Sequence, residues 1–395
     1  MPANDSILGY CTNVHAGTDY ASTLENLERY AVPVKENFSP NAPMGIGLWL
    51  PASTAQEVIE ENRIAEFRAW LDAHGLMVFT MNGFPFGDFH QTVVKHNVYL
   101  PTWAEAERLD YTLNCVEILT GLLPEGSEGS ISTLPIGWPE AHDNADALDA
   151  AAINLLTLID RLAHHETDTE HCIHIDIEPE PGCLFDTSND IIRFFQDYLL
   201  GRDNDELILR HLRVCHDVCH AAVMGETQAD ILKAYQDAGL KIGKVQLSSA
   251  VQCDFSTLKP AEIGHALTQL GEFQEERYLH QTMLQDNEIK EQSILFEDLP
   301  HALKALVDLP IEFITLRTHF HVPIFLNRFG LLQATQQDVI DCLTLIDQHS
   351  DCKHFEVETY AWNVLPKDLQ AQDLADGIAQ EMQWVLDQCP AFNKA

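Results

Sequence analysis

The chain is poor in positive charge. Only 23 of its 395 residues are lysine or arginine, against 61 aspartates and glutamates, for a formal net charge of −38. That balance repels phosphate backbones and anionic membrane surfaces, so it excludes nucleic acid as an expected partner. No apolar run approaches the length of a membrane span. The opening Met-Pro-Ala-Asn-Asp-Ser has no basic residue and no apolar core, so no secretory leader is expected. The ten cysteines form no CxxC pair. Their scatter argues against a disulfide framework or a local zinc motif and for buried thiols in a reducing, cytoplasmic setting. No glycine-rich phosphate loop follows the first strand-like run, so a dinucleotide fold gains no support. Internal repeats and low-complexity tracts are also missing.

What is present is an alternation of strands and helices. Strand-like runs occur at Ile7–Val14, Met44–Leu50, Leu76–Met81, Gly129–Ile136, Ile173–Ile177, Leu212–Asp217, Lys244–Ser248 and Lys353–Thr359. Helical patterns separate them, notably 53–74, 104–123, 143–165, 188–200, 229–238 and 373–386. Ser53 or Thr54 and Ser188 serve as expected caps, and Gly75 as an expected stop. Alternation of this kind predicts a parallel sheet with helical crossovers. Eight units close a (β/α)8 TIM barrel, which typically needs about 250 residues. The surplus falls in 250–350, where Arg277–Met283 and Ile311–Phe325 read as two further strands. We expect one domain over 1–395, with 250–350 as an insertion or elaborated loops over the barrel mouth. One of those runs is alternatively a barrel strand, and a doubly wound open sheet is the alternative architecture.

The stretch 171–183, HCIHIDIEPEPGC, draws attention first. Ile-rich alternation from Ile173 to Ile177 reads as a buried strand. Pro179 and Pro181 forbid its continuation. Glu178 then sits at a strand tip, where α/β barrels do their chemistry. Glu180 lies beyond Pro179 and reads as part of the turn, away from any metal.

Other strand ends carry polar residues too. Asn13 and His15 follow the first strand. Asn82 follows the third, with His90 further along. Asp217 and His220 follow the sixth, and Gln246 lies on the seventh. His280, Arg317, His319 and His321 belong to the elaborated segment. Glu358 ends the last strand, one layer nearer the mouth than Glu356. Glu178, Asp217 and Glu358 together with histidines make an oxygen and nitrogen set for a divalent cation. Burying three carboxylates without one would be costly. His319 and His321, two apart on an expected strand, face one side and can chelate one ion. The plain alternative is that the acids face solvent or pair with Arg108, Arg213 or Arg317. The aromatic run Phe84–Phe89, with Tyr99 and Trp103, walls a pocket for a sugar or ring face, or simply packs a loop.

These residues resemble those of xylose isomerase-like and endonuclease IV-like TIM barrels. That superfamily has a metal-binding glutamate after strand five and an acid after strand six with a histidine three further on. It adds a histidine at strand seven and a carboxylate at strand eight. Glu178, Asp217 with His220, and Glu358 match, whereas strand seven carries Gln246 in place of histidine. His280, His319 or His321 is left to supply the missing nitrogen. The strings LGYCTNVHAG (8–17), NGFPFGDFH (82–90), VYLPTW (98–103), SISTLPIGW (130–138), IDIEPEPGC (175–183), HFHVPIF (319–325) and EVETYAWNVLP (356–366) resemble the E component of the Ebo-type metabolite traffic proteins.

The resemblance implies a bacterial, cytoplasmic protein that processes or exports a small secondary metabolite beside a membrane-protein partner, with homo-oligomers common among such barrels. It does not fix a reaction; the carboxylate and histidine set leads us to expect a metal-dependent isomerase, epimerase or lyase-like enzyme acting on a small polyol or carbonyl compound. Glu178 and Glu358 would hold the metal (Zn, Mn, Mg or Co) and exchange a proton with the substrate. Asp217 with one or more of His220, His280, His319 and His321 would complete the coordination. His15, Asn82, His90, Gln246 and Arg317 would orient the substrate. A non-catalytic metabolite carrier on the same barrel is the other expectation.

Overall fold

A computed structural model describes residues 6–139, 145–201, 204–289, 292–370, 373–389 and 392. The strands, in chain order, are β1 (Ile7–Tyr10), β2 (Met44–Leu48), β3 (Leu76–Asn82), β4 (Gly129–Thr133), β5 (Ile173–Ile177), β6 (Leu212–Asp217) and β7 (Ile242–Leu247). They continue with β8 (Val251–Asp254), β9 (Thr282–Asp286), β10 (Ile294–Phe296), β11 (Ile314–Thr318), β12 (Arg328–Phe329), β13 (Leu332–Ala334) and β14 (His354–Val357). Among the described residues, eight strands form an all-parallel sheet in the order β1-β14-β7-β6-β5-β4-β3-β2. A parallel bridge between Cys11 and Gly47 brings its two edges together. The result is the expected TIM barrel, and the eighth barrel strand is the run read at 353–359.

Helices cover the outside, each burying one stripe. Over Ala145–Thr169 the buried positions Ala151, Ala152, Leu155, Leu158, Ile159 and Leu162 recur at helical spacing. The first two residues of the 143–165 reading lie outside the described residues. The run 53–74 is two helices, Ala52–Glu60 and Ile64–His74, because Asn62 takes a positive φ of 54° between them. Pro51 occupies the N-cap without a side-chain cap bond, so neither Ser53 nor Thr54 caps it. Gly75 does end the second helix, at φ 64°. The cap expected at Ser188 belongs one residue earlier, at Thr187, whose side chain joins Asp190 in a capping box.

The barrel interior is polar, where apolar side-chain layers are the norm. Lys244 Nζ lies 2.6 Å from Glu356 Oε1, and both side chains are fully buried. Below them His174 Nδ1 meets Asp176 Oδ1 at 2.6 Å. Burial raises the Asp176 pKa well above the usual carboxylate value and lowers His174 well below the usual imidazole value. Gly47 is required here, since a Cβ on it would occupy the place of the Glu356 carboxylate.

The surplus residues form a second, antiparallel sheet, in the order β10-β9-β11-β8-β13-β12. Neither run read in this segment is a barrel strand, and both are shorter than expected. The first overlaps β9 at Thr282 and Met283 alone, and the second shrinks to β11, which ends at Thr318. His280, His319 and His321 therefore lie beyond strand ends. The amide of His319 bonds the Gln281 carbonyl, and that of Val322 bonds the Ser249 carbonyl just after β7. These bonds lay residues 319–322 across the barrel mouth. Among the described residues no helix is long and apolar enough to cross a membrane.

Candidate metal centre

The C-terminal ends of β5, β6 and β14 deliver Glu178, Asp217 and Glu358 to one point. One oxygen of each lies within 4.8 Å of the others, and all three residues are buried. Each carboxylate is tethered differently. Glu358 Oε1 accepts from Asn13 Nδ2 at 2.7 Å and Asn82 Nδ2 at 3.1 Å. Asp217 Oδ1 accepts from the His220 amide and the Ser248 hydroxyl, both at 2.8 Å. Asp217 Oδ2 and Glu178 Oε2 are buried without a hydrogen-bond partner. Burial, Glu358 and Asp217 push the Glu178 pKa well up, and burial, Asp217 and Glu356 do the same to Glu358. Burial works against ionised Asp217 as well, but His220, His321, the His220 amide and Ser248 outweigh it, and its pKa falls below the usual value.

The arginines that might have neutralised these acids are occupied elsewhere. Arg108 donates to the carbonyls of Pro101, Gly83 and Phe84. Arg213 pairs with Glu128. Arg317 is held by Gln252 Oε1 and Gln285 Oε1, both at 2.7 Å, in the second sheet.

Three histidines complete the arrangement. His220 Nδ1 bonds the Pro179 carbonyl at 2.8 Å, His321 Nδ1 the Glu358 carbonyl at 2.7 Å, and His319 Nδ1 the Gln281 amide oxygen at 2.8 Å. These acceptors have no proton to give, so each Nδ1 is the donor, and in the neutral ring each Nε2 carries a bare lone pair. An imidazole anchored through one nitrogen with the other turned inward is the arrangement metal-binding histidines use. His321 Nε2 is buried without a partner, 3.9 Å from Asp217 Oδ2. His220 Nε2 and His319 Nε2 face each other at 3.1 Å. Two lone pairs at that distance repel unless a cation lies between or beside them. The open carboxylate oxygens, the unpartnered His321 nitrogen and the opposed pair together fit a divalent cation.

Several expected residues stand elsewhere. His280 uses both ring nitrogens, one on the His319 carbonyl and one on Glu275, so it is a support behind His319 and has no free lone pair. His15 bonds Tyr10 and stacks on Tyr30, because the turn Thr12–Val14 brings Asn13 to Glu358 and carries His15 aside. His90 bonds the Asn13 carbonyl at 2.7 Å and packs against Trp49 and Phe89. Gln246 is fully buried between Asp217 and Glu356 in register and does not line the cavity. Arg317 is equally absent from its wall. Of the five residues expected to orient substrate, Asn82 alone lines the cavity among the described residues.

Glu180 is the reverse case. The turn after Pro181 folds back, with the Glu180 amide on the Phe185 carbonyl, and turns the Glu180 side chain inward. Its Oε1 accepts from Tyr99 Oη at 2.7 Å and Gln281 Nε2 at 3.1 Å. With His220 and His319 it forms a second group of ligand atoms within 4.8 Å of one another. Tyr99, expected as a pocket wall, does line the cavity. Gln281 carried no signal, because its partners lie far away in sequence and no local pattern marks it.

No family model matches the chain, and no curated protein sequence matches it. Solved structures do. A xylose isomerase-like TIM barrel protein from Mycobacterium smegmatis, in complex with magnesium, superposes with a TM-score of 0.54 at 10% identity. That likeness covers 99% of this chain and 100% of the other. The IolI protein with a bound zinc atom gives a TM-score of 0.49 at 10% identity, over 98% of this chain and 99% of that one. The fold is that of the xylose isomerase-like TIM barrels.

Proposed function

We propose that the protein is a divalent-metal-dependent isomerase or epimerase acting on a small hydroxy-carbonyl metabolite. The observation that carries the reading is the cluster of buried, unpartnered ligand atoms at the barrel mouth: Glu178 Oε2, Asp217 Oδ2 and His321 Nε2. With Glu358 they would hold the cation, and His220 and His319 stand ready beside them. Magnesium in the Mycobacterium smegmatis structure supports a cation on this fold. Three carboxylates favour magnesium or manganese, and the imidazoles favour zinc or cobalt.

When bound, the cation would polarise a substrate carbonyl and acidify the C–H bond beside it. The chain's own residues do the rest. Glu178 and Glu358 face one another over the cavity floor, each a candidate base for the carbon-bound proton. One carboxylate that takes the proton while the other, protonated, gives one to the opposite face of the same carbon epimerises it. Return to the neighbouring carbon, with an O–H proton moving the other way, isomerises the compound. Neither route gains or loses atoms. Asn13 and Asn82 hold Glu358 in place, and Glu180, held by Tyr99 and Gln281, offers a carboxylate oxygen to a substrate hydroxyl. The Ebo-type resemblance supports a cytoplasmic bacterial setting and a place in secondary-metabolite processing beside a membrane partner.

The test is carbon-bound proton exchange. Incubated in D2O with Mn2+ and dihydroxyacetone, the protein should wash deuterium into the carbon position, as read by NMR. Glu178→Gln should lower the rate by about 100-fold or more. Exchange indifferent to Mn2+, or undiminished in the variant, contradicts the proposal. A carrier role on the same barrel would give metal binding with no exchange.

A further inference from the structure

The cavity over the carboxylates has two unlike halves. Glu178, Glu358, His319 and His321 stand at its floor. Its upper wall is apolar, made by Phe84, Phe89, Val94, Val98, Leu279 and the ring of Tyr360. Tyr360 and Phe89 pack edge to face at 5.5 Å, and Tyr278, also on the lining, packs against both rings. The wall is therefore a packed, preformed surface, and its apolar face turns towards the empty space, about 530 Å³ with the solvent mouth included.

Charge divides the cavity in the same sense. Among the described residues, Lys95 is the one lysine or arginine that lines it. Its Nζ is engaged by Asp298 Oδ2 at 2.7 Å. Arg277 lies against Tyr278, with Cζ 5.9 Å from the ring centroid, and does not reach the lining. Glu178, Glu180 and Glu358 are the acids that face the space. A phosphate or carboxylate on the substrate would find no free lysine or arginine, and Glu178, Asp217, Glu358 and Glu180 together outweigh the charge of one divalent cation, so the poorly screened site stays net negative. A bare polyol would leave the apolar wall against water.

We infer that the substrate is uncharged and amphipathic. A vicinal hydroxyl–carbonyl head sits on the floor, and an aromatic or branched aliphatic body lies along the Phe84, Phe89 and Val98 wall. The head rests on the function proposed above. The body rests on the wall and on the missing cation.

Three probes with the same head separate the possibilities by calorimetric titration of Mn2+-loaded protein. They are 2-hydroxyacetophenone, which carries a phenyl body, dihydroxyacetone, which carries none, and dihydroxyacetone phosphate, which carries an anion. The first should bind about tenfold or more tightly than dihydroxyacetone, the gain expected from burying a ring. The phosphate should bind no more tightly than dihydroxyacetone. Val98→Asp, at a half-buried position that tolerates a polar side chain, should bring the phenyl preference close to onefold. Equal binding of the first two, tighter binding of the phosphate, or no binding of 2-hydroxyacetophenone overturns the inference. Mn2+ titrated without a probe tells the two failures apart. Uptake without a phenyl preference sinks only the substrate class, whereas no uptake sinks the proposed metal-dependent function and this inference with it.

Discussion

At the scale of the residue, orientation decides what each side chain can do. His220, His319 and His321 qualify as ligands because their Nδ1 protons are spent on Pro179, Gln281 and Glu358, which leaves Nε2 bare. His280 fails because Glu275 and the His319 carbonyl take both of its nitrogens. Glu381 shows the same principle away from the cavity. Fully buried, it accepts from the Ile324 amide at 3.0 Å, Thr359 Oγ1 at 2.7 Å and Trp362 Nε1 at 3.1 Å. It thereby ties the segment after His321 to the segment after Glu358. Burial raises its pKa from 4.5 to about 7, and the three donors only partly oppose that. The folded chain therefore holds this proton where the unfolded chain has released it. Stability from this group is complete below pH 4.5 and is lost as the pH rises to about 7. The full shift corresponds to roughly 3 kcal/mol. Urea titrations of the wild type and Glu381→Gln across that window should show a downward slope in the first that is shallower in the second. Parallel slopes would show that Glu381 is ionised in the folded state.

At the scale of the element, β7 and β14 meet inside the barrel through Lys244 and Glu356. Burial alone would lower the Lys244 pKa, but Glu356 raises it above the ordinary lysine value, so the ammonium stays charged. Its charge also lowers the pKa values of Glu178 and Glu358 from beneath. Removing one member of a buried pair costs about 3–5 kcal/mol, because the other charge is left unpaired. Lys244→Met should show that loss by chemical denaturation, and Lys244→Met with Glu356→Leu should recover a large part of it. A single variant as stable as the wild type would mean that Glu356 takes up a proton at little cost.

The barrel strands were legible element by element. Apolar alternation ends at Pro51 after β2 and at Pro179 beyond β5, and those stops survive folding. The break between the helices Ala52–Glu60 and Ile64–His74 was not legible, because the helical pattern runs on through Asn62 while its backbone leaves the helix. The second sheet was half legible. Strands β10, β12 and β13 span two or three residues each, too short for any periodicity to register.

At the scale of the whole molecule, the centre is assembled from segments hundreds of residues apart. Glu178, Asp217 and Glu358 could be read as partners because strand tips of a closed barrel converge. Glu180 could not, since Tyr99 and Gln281 turn its side chain inward from 81 and 101 residues away. His15, His90 and Arg317 mark the opposite error, in which a polar residue near a strand end points away from the mouth. The −38 charge gives the acids no general reason to cluster in the interior. A bound cation would, and because only the folded barrel collects its ligands, binding would stabilise the entire chain.

The most direct measurement combines metal content with melting temperature. Purified protein, analysed by mass spectrometry for elements, should hold at least one divalent ion per chain. Its melting temperature should fall on chelation and rise again with Mn2+, Zn2+ or Co2+, by the equivalent of about 2.7 kcal/mol at a hundredfold excess over Kd. Glu178→Gln should lose most of that rise. Protein without stoichiometric metal, whose melting temperature none of the three ions moves, would contradict the metal centre and the function built on it.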